Sequence, residues 1–217
     1  MTHTAVLFDL DGTLLDTLED LADSMNVVLK AHGFPVHGLD AYRYFVGDGV
    51  ENLVLRSLPE SARKSDAFLR ECVSKMRAEY SARWKDKTRL YDGIPELLDS
   101  LSARGLKTAI LSNKPHSATL QVVEHFLGKW RFDVAAGARP GIPIKPDPGA
   151  VLDVCRTLGI PPESFLYLGD TNTDMITADS AGMFAVGVLW GFRTEEELWA
   201  SGAKAVIRHP LEALDLL

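Results

Sequence analysis

Apolar positions along the chain follow two regimes, and the change falls near residue 89. Ala5, Val6, Leu7 and Phe8 form a short apolar run that suits a strand buried on both faces of a parallel sheet. Asp16 and Thr17 then precede Leu18, Leu21, Ala22, Met25, Val28 and Leu29, an apolar stripe at helical spacing that Gly33-Phe34-Pro35 brings to an end. Asp16 and Glu19 have the spacing of a capping box, which places Asp16 at the start of that helix. A second stripe begins near Leu39, breaks at Gly47-Asp48-Gly49 and resumes through Val50, Leu53, Val54 and Leu58. A third runs between Ser65 and Trp84 through Phe68, Leu69, Cys72, Val73, Met76 and Tyr80, and its Met and aromatic content reads as core. Residues 17–88 are therefore expected to be all helix.

From Arg89 onward the pattern alternates between helix and strand, which predicts βαβ units. Pro95 opens a helix carrying Leu97, Leu98 and Leu101, and Gly105 closes it. Strands are predicted at Thr108 to Leu111, Phe132 to Ala136, Phe165 to Leu168, Phe184 to Val188 and Ala205 to Ile207. The helices between them end at Gly128, Gly159 and Gly182, where left-handed C-caps are expected. The fold class that follows is α/β, a doubly wound, mostly parallel, Rossmann-like sheet. Its core domain is expected to comprise residues 1–16 and 89–217, with 17–88 inserted as an all-helical domain.

Composition narrows the function classes. A chain of 217 residues that is 46 % hydrophobic can bury a full core as one domain with a modest insertion. A net charge of −7, with no block of Lys and Arg, gives no footprint for nucleic acid. Cys72 and Cys155 form no CxxC pair and lie far from any His cluster, so neither zinc nor a disulfide framework is expected. A reducing, cytoplasmic setting is the expectation. The chain enters its first strand at once, so no signal peptide is expected, and no apolar run approaches membrane-spanning length.

The chemistry gathers at predicted strand ends. Asp9 and Asp11 follow the first strand, and Gly12 lets the backbone turn there. Two acids so close call for a cation or a shared proton. Ser112-Asn113 stands at the end of a later strand, just before a helix start, a place suited to an anion. Lys145 lies in Ile144-Lys145-Pro146-Asp147-Pro148, where prolines stiffen the segment presenting it. Phe165 to Leu168 leads into Gly169-Asp170, with Asp174 in the first turn of the next helix. Acids, a serine and a lysine at strand ends on one sheet edge predict a divalent-metal and phosphate site. Hard oxygen ligands without His or Cys favour Mg²⁺.

These motifs, Asp9-Leu10-Asp11-Gly12-Thr13, Ser112-Asn113, Lys145-Pro146 and Gly169-Asp170 with Asp174, resemble in order those of the haloacid dehalogenase superfamily of phosphatases. The helical insertion is similar to that superfamily's C1-type cap. Phe45 to Leu53 and Gly187-Val188-Leu189-Trp190-Gly191 resemble its phosphoglycolate phosphatase branch. The resemblance implies Mg²⁺-dependent hydrolysis of a small phosphomonoester, 2-phosphoglycolate first, through an aspartyl-phosphate on Asp9. Asp11 is then the acid/base, and Lys145 the residue that neutralises charge and orients Asp9. Asp9, the Asp11 carbonyl and Asp170 are the implied metal ligands with Asp174 in support. Ser112, Asn113 and Gly12 line the phosphate. Gly47, Asp48, Arg43, Asn52 and Arg56 are the candidates for substrate choice in the cap. Other small phosphates (a sugar phosphate, a nucleotide, pyrophosphate) or a sugar-phosphate mutase activity use the same core. A phospho-receiver-like or non-catalytic protein is the distant alternative. The implied partner is a small phosphorylated metabolite, with neither nucleic acid nor membrane.

Overall fold

The computed structural model describes residues 3–217. In chain order its elements are β1 (Ala5–Phe8), β2 (Leu15–Asp16), α1 (Leu18–Ala31), α2 (Leu39–Phe45), α3 (Val50–Ser57), α4 (Asp66–Arg83) and β3 (Arg89–Leu90). There follow α5 (Ile94–Ala103), β4 (Lys107–Pro115), α6 (His116–Leu127), β5 (Val134–Ala138), α7 (Gly149–Leu158), β6 (Phe165–Gly169), α8 (Asn172–Ala181), β7 (Phe184–Val188), α9 (Glu195–Ala200) and β8 (Ala205–Ile207). The chain divides into two compact units, one holding the residues up to Leu15 together with Leu90–Leu217, the other Asp16–Arg89.

The first unit is built on a six-stranded sheet of order β5-β4-β1-β6-β7-β8, with every pair parallel. A parallel sheet needs crossovers, and their helices cover both faces, which is why β1 and β6 are apolar and buried at every position. β1 lies in the centre, with Phe8 opposite Ile110 of β4 and Leu168 of β6. From β1 the chain builds outward through β4 and β5 on one side, then through β6, β7 and β8 on the other. Such a reversal opens a crevice at the carboxyl ends of the strands. Beneath it Leu7, Ala109, Phe165, Tyr167 and Met175 pack into one core.

The α/β class and parallel sheet are those predicted from the alternating pattern, and β7 and β8 occupy the predicted residues. Two local expectations are corrected. Gly128 ends α6 with φ −62°, a right-handed conformation, whereas Gly159 and Gly182 are left-handed at 67° and 77°. Glycine serves space at 128: a Cβ there would lie 2.5 Å from the Glu124 carbonyl oxygen. Asp16 does not cap α1. It lies in β2, where its Oδ2 accepts from Arg89 Nη2 at 2.6 Å, so strand pairing takes the side chain that the capping pattern had claimed.

The second unit contains α1 to α4, and its stripes bury Met25, Leu29, Val54, Cys72 and Met76. Its re-entrant chain is tied to α1 by the buried Asp20, whose carboxylate accepts from Lys87 N at 3.1 Å, Thr88 N at 2.9 Å and Thr88 Oγ1 at 2.8 Å. Among the described residues no helix is long and apolar enough to cross a membrane.

Candidate active site

Asp9 follows the last residue of β1, and its N–H donates to the Leu168 carbonyl at 3.0 Å, so it continues the ladder to the sheet edge. The chain then closes tightly: Leu14 and Leu15 N–H both donate to the Leu10 carbonyl at 3.0 Å, and Gly12 N–H to the Leu15 carbonyl at 2.8 Å. Gly12 has φ 94°, and a Cβ there would lie 2.3 Å from Asp170 Oδ2. Only glycine meets both the backbone and the space requirement.

Lys145 is 3 % exposed, and its Nζ lies 2.9 Å from Asp9 Oδ1 and 2.7 Å from Asp174 Oδ1. A buried ammonium needs such partners, since desolvation alone would neutralise it. Burial does oppose its charge, but Asp174 and Asp9 outweigh burial and hold the lysine well above its ordinary value. Asn113 fixes the lysine's backbone. Its Nδ2 donates to the Lys145 carbonyl at 3.0 Å and its Oδ1 accepts from Lys145 N at 2.9 Å. Ser112, on β4, accepts from Lys114 N at its Oγ at 3.1 Å, an arrangement that leaves the hydroxyl proton to donate elsewhere.

Asp170, one residue past β6, is fully buried, with Oδ1 accepting from Thr13 Oγ1 at 3.0 Å and Oδ2 from Phe192 N at 2.9 Å. Both oxygens of Asp174 are engaged as well. Oδ1 receives Lys145 and the Tyr167 hydroxyl at 3.2 Å, and Oδ2 receives Thr171 N at 3.1 Å and Thr171 Oγ1 at 2.8 Å. Asp9, Asp170 and Asp174 each present an oxygen within 4.8 Å of the others. Burial, and then the Asp174 charge, push the Asp9 carboxyl up to about 7 although Lys145 pulls it down. Burial, then Asp174 and Asp9, raise Asp170 well above the carboxylate range. Three acids against one lysine leave negative charge unbalanced, and an all-oxygen donor set of this kind fits a hard divalent cation.

The structure thus brings Asp9, Gly12, Ser112, Asn113, Lys145, Asp170 and Asp174 together at one sheet edge. Asp11 joins them through a residue that sequence reasoning passed over: Lys114 Nζ lies 2.6 Å from Asp11 Oδ1. Tyr167 was missed for another reason, because inside an apolar strand it reads as core. Thr13 and Phe192 were missed because their partner, Asp170, is remote in sequence. In the second unit, Arg56 pairs with Asp48 and donates to the Phe45 carbonyl at 3.3 Å, while Asn52 Nδ2 donates to the Asp48 carbonyl at 3.0 Å. These bonds brace the segment between Gly47 (φ 116°) and Gly49 (φ 89°). Arg43 Nε lies 4.0 Å from Asp40 Oδ1.

Similar sequences and the same architecture recur in known proteins. A phosphoglycolate phosphatase of Nitrosospira multiformis is 32 % identical, with 98 % of this chain and 95 % of that protein aligned. An N-acetylmuramic acid 6-phosphate phosphatase of Pseudomonas aeruginosa is also 32 % identical, over 100 % of this chain and 96 % of that one. The solved structure of a candidate phosphoglycolate phosphatase from Lactobacillus delbrueckii subsp. bulgaricus superposes with a TM-score of 0.92 at 28 % identity, covering 100 % of this chain and 98 % of that chain. The family model described as haloacid dehalogenase-like hydrolase matches residues 6–188, every site segment except the β7 to α9 connection that carries Phe192, and the chain belongs to that family.

Proposed function

We propose that the chain is a phosphatase that hydrolyses a small phosphomonoester, with Mg²⁺, through an aspartyl-phosphate on Asp9. One observation carries the reading: Asp9 stands at the end of the central strand with Oδ1 held by Lys145 at 2.9 Å, and Oδ2 stands outside that ion pair. An oriented carboxylate with one oxygen still available is what in-line attack on phosphorus requires. Asp9 Oδ2 forms the new P–O bond as the ester P–O bond breaks. Asp11 delivers a proton to the leaving alkoxide and then takes one from the water that splits the acyl phosphate. Free phosphate and the Asp9 carboxylate result. The Ser112 hydroxyl donates to a phosphoryl oxygen, and the Lys145 charge offsets the negative charge that gathers there.

Asp9, Asp170 and the Asp11 carbonyl are the groups that would hold Mg²⁺. The ion would supply charge neutralisation at the phosphoryl oxygens. Asp174 supports them from behind, since each of its oxygens already accepts two bonds, from Lys145, Tyr167 and Thr171, whereas each Asp170 oxygen accepts one. The helical unit, Asp16–Arg89, is read as a cap that chooses the substrate, with Arg43, Asn52, Arg56 and the 47–49 loop as its candidate contacts. A cytoplasmic setting is consistent with two buried, free thiols, Cys72 and Cys155.

The relatives' names favour 2-phosphoglycolate as substrate, and N-acetylmuramic acid 6-phosphate as the second reading. Phosphate release should be measured over both, with sugar phosphates and nucleotides, in Mg²⁺ and in EDTA. Turnover is expected in Mg²⁺, reversible loss in EDTA and complete loss in Asp9→Asn. Phosphate release by Asp9→Asn at the wild-type rate would overturn the covalent scheme. Interconversion of phosphate isomers without free phosphate would reassign the chain as a mutase.

A further inference from the structure

The segment Gly187 to Gly191, singled out in the sequence, has no part in the scheme above. In the structure it runs from β7 into a strap that closes over Asp170 and the loop after β1. Trp190 Nε1 donates to the Thr13 carbonyl at 2.9 Å. Thr13 Oγ1 in turn donates to Asp170 Oδ1, and Phe192 N to Asp170 Oδ2. Between these two anchors Gly191 passes so close that a Cβ would lie 2.2 Å from Asp170 Cβ and 2.5 Å from the Gly12 carbonyl oxygen. Gly12 closes on the carboxylate from the other side. Asp170 is therefore gripped at each oxygen and enclosed by two glycines, and one indole N–H ties the strap to the residue that holds Oδ1.

We infer that Trp190 is a positioning residue for divalent-cation binding: through Thr13 it fixes the orientation of the Asp170 carboxylate. The inference rests on the proposed reading of Asp170 as a metal ligand. Hydrogen bonds behind a ligand set its direction, and their loss weakens metal affinity by about 10- to 100-fold. Trp190 is one bond further back, so its share lies at the lower end of that range. It touches neither Ser112 nor Lys145 in any hydrogen bond or ion pair above, so phosphate binding has no reason to change with it.

The test titrates metal-free protein with MgCl₂ and follows the rise in melting temperature, alongside the Mg²⁺ dependence of phosphate release. Trp190→Phe keeps an aromatic ring and removes the donor, together with the pyrrole part of the indole. It is expected to weaken Mg²⁺ binding about 10-fold, with kcat at saturating Mg²⁺ and KM for the ester within about two-fold of wild type. Trp199→Phe removes an exposed indole on α9 and is expected to leave Mg²⁺ binding unchanged. Thr13→Val breaks the same chain at its next link, so Trp190→Phe should add no further loss on that background. Wild-type affinity in Trp190→Phe would overturn the inference alone, as would a full 10-fold effect persisting in Thr13→Val. Should Trp190→Phe not fold, weakened binding in Thr13→Val supports the chain of bonds, and unchanged binding there overturns it. No Mg²⁺ response in the wild type would overturn both the inference and the metal reading.

Discussion

Lys145 makes the site's electrostatics solvable at the level of one side chain. It lies between Asp9 and Asp174, at 2.9 and 2.7 Å, with no water-exposed side to spread its charge. Removing one partner of a buried ion pair costs about 3–5 kcal/mol, because the remaining charge is stranded. Lys145→Met is therefore expected to lower stability by about that amount in urea unfolding, and turnover by at least about 100-fold. Lys145→Arg should not rescue it, since a planar guanidinium cannot replace a compact ammonium at two converging carboxylates. Unaltered turnover in Lys145→Met would refute the role. The lysine itself was legible from its prolines. Its positioning by Asn113 was not, because the motif presents Asn113 as a phosphate contact through its backbone, and that its side-chain amide holds the Lys145 backbone depends on tertiary proximity. Tyr167 and Lys114 escaped for the same physical reason: a polar group's partner is set by tertiary proximity, which local spacing does not encode.

At the level of elements, one-sided burial writes the helical period into the sequence, and burial on both faces writes the β strands as short continuous apolar runs; both were read from it. Ser65 caps α4, accepting from Phe68 N at 3.3 Å. What the period does not carry is competition for a side chain. Asp16 had two offers, an N-cap and a cross-strand arginine, and pairing with Arg89 won. Asp20 is the opposite case. Within an amphipathic stripe it reads as a solvent-facing acid, yet it is 1 % exposed and accepts every donor presented by Lys87 N and Thr88. Asp20→Ala leaves two backbone N–H groups and a hydroxyl without an acceptor, at a cost of about 2–4 kcal/mol. Asp20→Asn should lie between, as one carboxamide oxygen can still accept while the NH₂ faces a donor. Chemical denaturation of the three proteins checks this order, and a loss under about 0.5 kcal/mol in Asp20→Ala would contradict it.

Strand order belongs to the whole molecule and was the part least accessible to sequence, since periodicity fixes where strands lie but not which neighbours they choose. The order β5-β4-β1-β6-β7-β8 puts the ends of β4 and β6 on either side of Asp9, and that adjacency is what gathers three acids in one buried place. A fold that buries repelling carboxylates without a cation gives up stability at its functional site. A divalent ion bound there should return it. At a concentration 100 times its dissociation constant, Mg²⁺ adds about 2.7 kcal/mol to the folded state, equivalent to a rise of about 5–10 °C in the transition of the unit that holds the site. EDTA should reverse the rise, and Asp170→Asn should abolish it. The donor count also separates ions. Mg²⁺ needs only one or two carboxylates and keeps waters, whereas Ca²⁺ takes about six to eight oxygens, and Asp174 has none to spare. Ca²⁺ is therefore expected to raise the melting temperature less than Mg²⁺ at equal concentration and to support no turnover. Equal stabilisation by the two ions, or a Mg²⁺ response that survives in Asp170→Asn, would place the cation elsewhere.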